Sequence, residues 1–125
     1  MKKTNFFLPE RIPTEREQLG QLINDTYRNW GYYKSLYHAQ ERVFKSQYAS
    51  LCSKYKGQGK GIEESKWLGL MDVDYATYSN ALKETEDTMH EAYGMYLQVL
   101  HHQDDLRQER ALDRVKLDKG IYDIT

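Results

Sequence analysis

Between Thr14 and Lys56 apolar side chains return at steps of mostly three and four residues, with no proline to interrupt them. Leu19, Leu22, Ile23, Tyr27, Trp30, Tyr33, Leu36, Tyr37, Val43, Phe44, Tyr48, Leu51 and Tyr55 mark that period. A strand alternates every second residue, so this spacing predicts a helix with one apolar stripe. Some forty helical residues would span about 60 Å. Thr14 fits an N-cap, with Glu17 completing a capping box, and Leu8 or Ile12 can staple onto the first turn. Gly57, Gly59 and Gly61 predict the stop, and Gly31 a kink.

The remainder reads as a partner folded back over that stripe. Residues Ile62 to Met71 suggest a short helix, with Trp67, Leu68 and Met71 capping the end of a bundle. Asp72 or Asp74 then caps a second long helix, whose stripe includes Tyr78, Leu82, Thr85, Met89, Tyr93, Tyr96, Val99 and Leu106. Beyond Arg107 the spacing shifts to Leu112, Val115 and Leu117, so the apolar face rotates or the helix breaks. Gly120 is the expected stop. The fold class is therefore all-α: a long helical hairpin with a short connecting helix over 14–119, an extended arm over 1–13 and a tail over 120–125. Both stripes are wide for a single contact, which predicts further burial between copies in a helical homo-oligomer with coiled-coil-like packing. A monomer of shorter helices, bent at Gly31 and Gly94, is the competing architecture.

Composition narrows the function classes. Charged residues are 30% of the chain and aromatics 13%, a balance that long helices with one buried stripe and a broad solvated face can satisfy. The lone Cys52 forms no intrachain disulfide and, lying on the stripe, is expected to be a buried inert thiol. Phe6, Phe7 and Leu8 are too few for a signal-peptide core, and no run approaches the ~20 apolar residues of a bilayer span. A cytoplasmic protein with no membrane contact is expected.

The net charge of -1 conceals an asymmetry. From Arg28 to Lys66, eight basic residues face three acidic ones, a net +5; from Trp67 to Leu106, Lys83 stands against eight acids, a net -7. The two blocks can pair with each other, or each can meet its own partner.

Lys54, Lys56 and Lys60 crowd the loop KYKGQGKG, where glycines expose backbone N–H groups and lysines supply charge for a phosphate backbone. It is not a nucleotide-binding P-loop, because Gly61 stands where Ser or Thr is required. Tyr32 and Lys34 lie off the stripe, and Lys45 interleaves with the aromatics. Together these six residues have the chemistry that holds single strands, rings stacking on bases while cations follow the backbone. The acidic block offers Glu84, Asp87, Glu91, Asp104 and Asp105 as an alternative surface for a basic protein partner. His101 and His102 beside Asp104 and Asp105 fall short of a metal-ligand set, and no nucleophile elbow is present. Neither a metal nor a cofactor is expected, and a non-enzyme is predicted.

The Tyr- and Lys-rich helix closing in Tyr55-Lys56-Gly57-Gln58-Gly59 resembles the recombination mediator proteins of T4-type phages, over about residues 27–61. That resemblance implies a homo-oligomer in a bacterial host cell that binds single-stranded DNA and helps a recombinase load. It singles out Lys54, Lys56 and Lys60 by their position in the matched turn. The family's characteristic C-terminal end has no counterpart in DKGIYDIT. Two functions follow as expectations: a phage-type accessory factor gripping single-stranded nucleic acid, or a small helical inhibitor or adaptor of anti-defence type using its acidic helix.

Overall fold

The structure, a computed structural model, describes residues 6–118; the expected stop at Gly120 and the tail lie outside them. Three helices follow a short non-helical arm: α1 (Arg16–Lys56), α2 (Ile62–Met71) and α3 (Val73–Asp118). No strand occurs among the described residues. α1 and α3 pack antiparallel as a hairpin. Across the seam Tyr27 meets Tyr96, Trp30 meets Tyr93, Gln40 meets Thr85 and Tyr48 meets Tyr75.

A seven-residue repeat keeps that seam closed. On α1, Leu19, Thr26, Tyr33 and Gln40 form one row, and Ile23, Trp30, Tyr37, Phe44 and Leu51 the other. On α3 the rows are Tyr78, Thr85, Ala92, Val99 and Leu106, and Tyr75, Leu82, Met89, Tyr96 and Gln103. Such a repeat holds each stripe toward its partner for many turns. Helices run unbroken through Gly31 and Gly94, so neither the expected kink nor the bent alternative is found.

Leu19, Tyr33 and Leu51 are buried in the seam, and its fully buried centre is small or hydroxylated. Thr26, Thr85, Ala92 and Val99 are fully buried. The buried hydroxyls are satisfied by their own helix, Thr26 on the Leu22 carbonyl at 2.9 Å and Thr88 on the Glu84 carbonyl at 3.0 Å. Thr85 shares its hydroxyl between the Ala81 carbonyl at 3.2 Å and the Gln40 side chain on the opposite helix.

Several end details differ from the sequence reading. α1 begins one residue after Glu15, which forms no side-chain cap, and Thr14 instead offers its carbonyl to Arg110 at 3.4 Å. At the other end Gly59 adopts a positive φ of 84°, a conformation that favours glycine, and the chain turns into α2. α2 lies against α1 through Ser65 and Gly69. A Cβ on Gly69 would stand 3.3 Å from the Cys52 sulfur and 3.5 Å from Tyr48, so only glycine allows this approach without adjustment. Cys52 itself is half-buried rather than buried. Trp67 and Met71 do not cap the bundle: α2 seats Ser65, Gly69 and half of Leu68 inward, which turns those two side chains out to solvent. α3 continues past Arg107 with its apolar face rotated, leaving Leu112, Val115 and Leu117 exposed.

These contacts set opposite outcomes for two helical glycines. Gly94 has open space where a Cβ would go, so Gly94→Ala should raise stability by about 0.5–1 kcal/mol. Gly69→Leu should lower it by about 1–3 kcal/mol through overpacking against Cys52 and Tyr48. Urea unfolding of both variants measures the contrast.

Candidate nucleic-acid interface

α1 advances 100° per residue, so residues eleven apart return to within about 20° of one line. Lys34, Lys45 and Lys56 have that spacing, and Tyr27 precedes Lys34 by seven. One lane of α1 therefore carries a tyrosine and three exposed lysines, with cations about 16 Å apart along the axis. Glu41 interrupts the lane and accepts the Tyr37 hydroxyl at 3.2 Å. Burial, together with Glu86 and Glu41 nearby, pushes that hydroxyl above its ordinary value and keeps it protonated as a donor.

At the head of the lane is a pile of rings shared by both long helices. Trp30 lies 4.7 Å from Tyr93 and stacks on Tyr96 at 5.7 Å, with planes 15° apart. Tyr27 sets its edge on Trp30 and Tyr96, at 6.0 and 5.5 Å. The Lys34 ammonium sits 5.0 Å over the Trp30 ring. Tyr27 remains 54% exposed and Tyr93 is also open to solvent, so the pile presents ring surface beside a cation.

Tyr32, expected to act with Lys34, lies elsewhere. Two residues along a helix turn the side chain by about 160°, and Tyr32 is exposed on the far flank, edge-on to Tyr33 at 5.0 Å. Lys54 is also diverted. Its ammonium bonds Asp72 at 3.4 Å, while the Tyr55 hydroxyl donates to the same carboxylate oxygen at 2.6 Å. The other Asp72 oxygen accepts the Asp74 backbone N–H at 2.9 Å and so caps α3. Lys60 pairs with Glu64 at 3.8 Å and Lys66 with Glu63 at 3.7 Å, so much of the loop's charge is met locally. Lys56 is exposed and completes the lane.

The acidic candidates separate in the same way. Glu84, Glu91 and Asp105 recur at multiples of seven, with Asp87 within about 40° of Glu91, so these four form one row. Glu91 stands two residues from Tyr93, hence about 160° away from the aromatic pile. Asp104 falls outside the row and approaches Arg107 at 3.9 Å. Among the described residues no group of His, Cys, Asp and Glu is placed to hold a metal ion, and no helix is long and apolar enough to cross a membrane.

Tyr27 and Tyr93 were not legible as surface residues, because both fall on apolar stripes. Their exposure appears only once two helices share the rings. Comparison of the chain with family models, curated proteins and solved structures finds no match.

The Asp72 junction carries a pH signature. Hydrogen bonds from Tyr55 and the Asp74 backbone hold its carboxyl below the usual carboxylate range, while the bonds that Tyr55 and Lys54 each make to Asp72 raise those two groups. A depressed carboxyl stabilises the fold fully above its unfolded value, near 4, and loses that contribution as pH falls through the folded one. Asp72→Asn should therefore lower the melting temperature at pH 7 and flatten its decline below about pH 4, as followed by circular dichroism.

Proposed function

We propose that this protein is a non-enzymatic accessory factor that binds single-stranded nucleic acid along α1. Bases stack on the exposed ring surface of Tyr27 and Tyr93, and the strand's phosphates run past Lys34, Lys45 and Lys56. The observation that carries this reading is the cation above an open aromatic pile at the head of a lysine lane, the pairing that sequence-tolerant single-strand binders use. The likeness of residues 27–61 to phage recombination mediators supports the same class and a bacterial cytoplasmic setting. Lys54 and Lys60, already paired with carboxylates, contribute less than the lane.

Fluorescence anisotropy with labelled oligothymidine tests the reading. Replacing Lys34, Lys45 and Lys56 by Ala should weaken binding and make the slope of log K against log salt shallower by about 2. Tyr93→Ala should cost about 1–3 kcal/mol of binding. Lys54→Ala with Lys60→Ala should have a smaller effect than the lane variant. Wild-type protein that ignores the oligonucleotide, or a lane variant that binds like wild type, overturns the proposal.

The row Glu84, Asp87, Glu91 and Asp105 favours a second reading, a helical inhibitor or adaptor docking a basic protein on the opposite side of α3. A stoichiometric basic partner, retained after nuclease treatment and lost on charge reversal of Glu84 and Glu91, would favour that reading over the first.

A further inference from the structure

At the open end of the hairpin the seam rows change character. Seven residues before Ile23 the α1 row reaches Arg16, and seven after Gln103 the α3 row reaches Arg110. Elsewhere these rows hold apolar, aromatic or neutral side chains, which suits positions turned toward a partner helix. Here two cations take such positions, and with Leu19, Gln103, Leu106 and Arg107 they line a cavity of about 180 Å³. That is room for a phosphate group. Leu19 is buried and Leu106 half-buried, so the cavity has an apolar side, while the three arginines stay open to solvent.

Positive charge in this cavity is poorly met by the protein itself. Its lining includes no Asp or Glu; Glu17, Asp104, Glu109 and Asp113 all stand outside it. Arg110 donates to the Thr14 carbonyl at 3.4 Å, a neutral acceptor that leaves its charge in place. Arg107 comes no nearer to Asp104 than 3.9 Å, and both side chains are more than half exposed, so water screens that pair. Guanidinium groups around one space repel each other, and a bound anion offsets that repulsion. Their planar forks match phosphate oxygens two at a time. A phosphodiester inside a strand carries one negative charge, whereas a terminal phosphomonoester carries close to two at pH 7. Three arginines therefore favour the terminal group.

Position points the same way. Arg16 precedes Lys34 by eighteen residues, five full turns, and so lies on the lysine lane about 27 Å up the axis. Arg107 follows Tyr93 by fourteen residues, which returns it to within about 40° of that ring. The cavity thus closes off the edge of the hairpin that carries the aromatic pile and the lane.

We propose that the Arg16–Arg107–Arg110 cavity binds the terminal phosphate of a strand lying along the lane, so that the protein prefers a phosphorylated strand end to a hydroxyl end. The inference rests on the nucleic-acid reading and adds to it a fixed place for the end of the ligand.

Oligothymidine labelled internally, so that both ends are free, tests this on full-length protein by fluorescence anisotropy. Three versions are compared: a 5′-phosphate, a 3′-phosphate, and hydroxyls at both ends. One of the phosphorylated strands should bind about tenfold more tightly than the hydroxyl-ended strand. Arg16→Gln combined with Arg107→Gln should bring the strands to equal affinity. Arg107→Gln alone, at an exposed position outside the seam rows, should reduce the preference in part with helix content unchanged by circular dichroism. Equal wild-type affinity for all three strands overturns this inference and leaves the lane standing, whereas failure to bind any of them overturns both. A double variant that keeps the preference also overturns it. So does inorganic phosphate that, at matched ionic strength, raises the melting temperature of a wild type without end preference, the pattern of a site for a free anion.

Discussion

The antiparallel seam of α1 and α3 depends on the fully buried side chains at its centre. Thr26, Thr85, Ala92 and Val99 take the buried centre, positions that Leu or Ile would fill in an apolar coiled coil. Hydroxyls in such a seam are tolerable because each has a carbonyl one turn back on its own helix. The Gln40–Thr85 contact adds specificity. A slip of one heptad would bring Gln40 opposite Ala92 or Tyr78 and remove its hydroxyl partner, a penalty of order 1 kcal/mol.

A two-helix seam has a consequence at the surface. With no third helix to cover them, Trp30 and Tyr96 are half-buried and Tyr93 is exposed, and the three rings stack along one edge. The edge they occupy is the one that carries Lys34, Lys45 and Lys56, and the acidic row of α3 is turned away from it. The row of Glu84, Glu91 and Asp105 and the lysine lane thus occupy separate surfaces, while Glu86 stays near Tyr37 and the Lys54–Asp72 bond joins the two blocks at the closed end. Aromatic surface and positive charge come together because both helices contribute at one edge.

Helix existence, order and most boundaries were readable from local rules. Glycines end α1, the ten residues of α2 fall where the short apolar run stands, and Asp72 begins α3. Those features depend on neighbours a few positions away. What escaped depends on contacts distant in sequence. Lys54 looked available until α2 returned Asp72 to it, eighteen residues later. Trp67 looked like a bundle cap until the small residues Ser65 and Gly69 took the inward side of α2. Thr14 has the residue type and spacing of a cap, yet its carbonyl engages Arg110 from the far end of α3. The stripe on α1 was correctly periodic but did not say which edge of it a single partner helix would leave open, and so Tyr27 and Val43 are exposed.

Pulsed electron resonance distances test the unbroken antiparallel hairpin most directly. Spin labels would be placed on a Cys52→Ser background at Glu17 and Lys60 in one sample, and at Glu17 and Gln108 in another, each diluted with unlabelled protein. A continuous α1 predicts about 60 Å for the first pair. Antiparallel neighbours predict about 10–25 Å for the second, an interhelix spacing plus two label arms. A first distance near half its expected value, as a chain bent at Gly31 would give, or a second well beyond that range, would contradict the account.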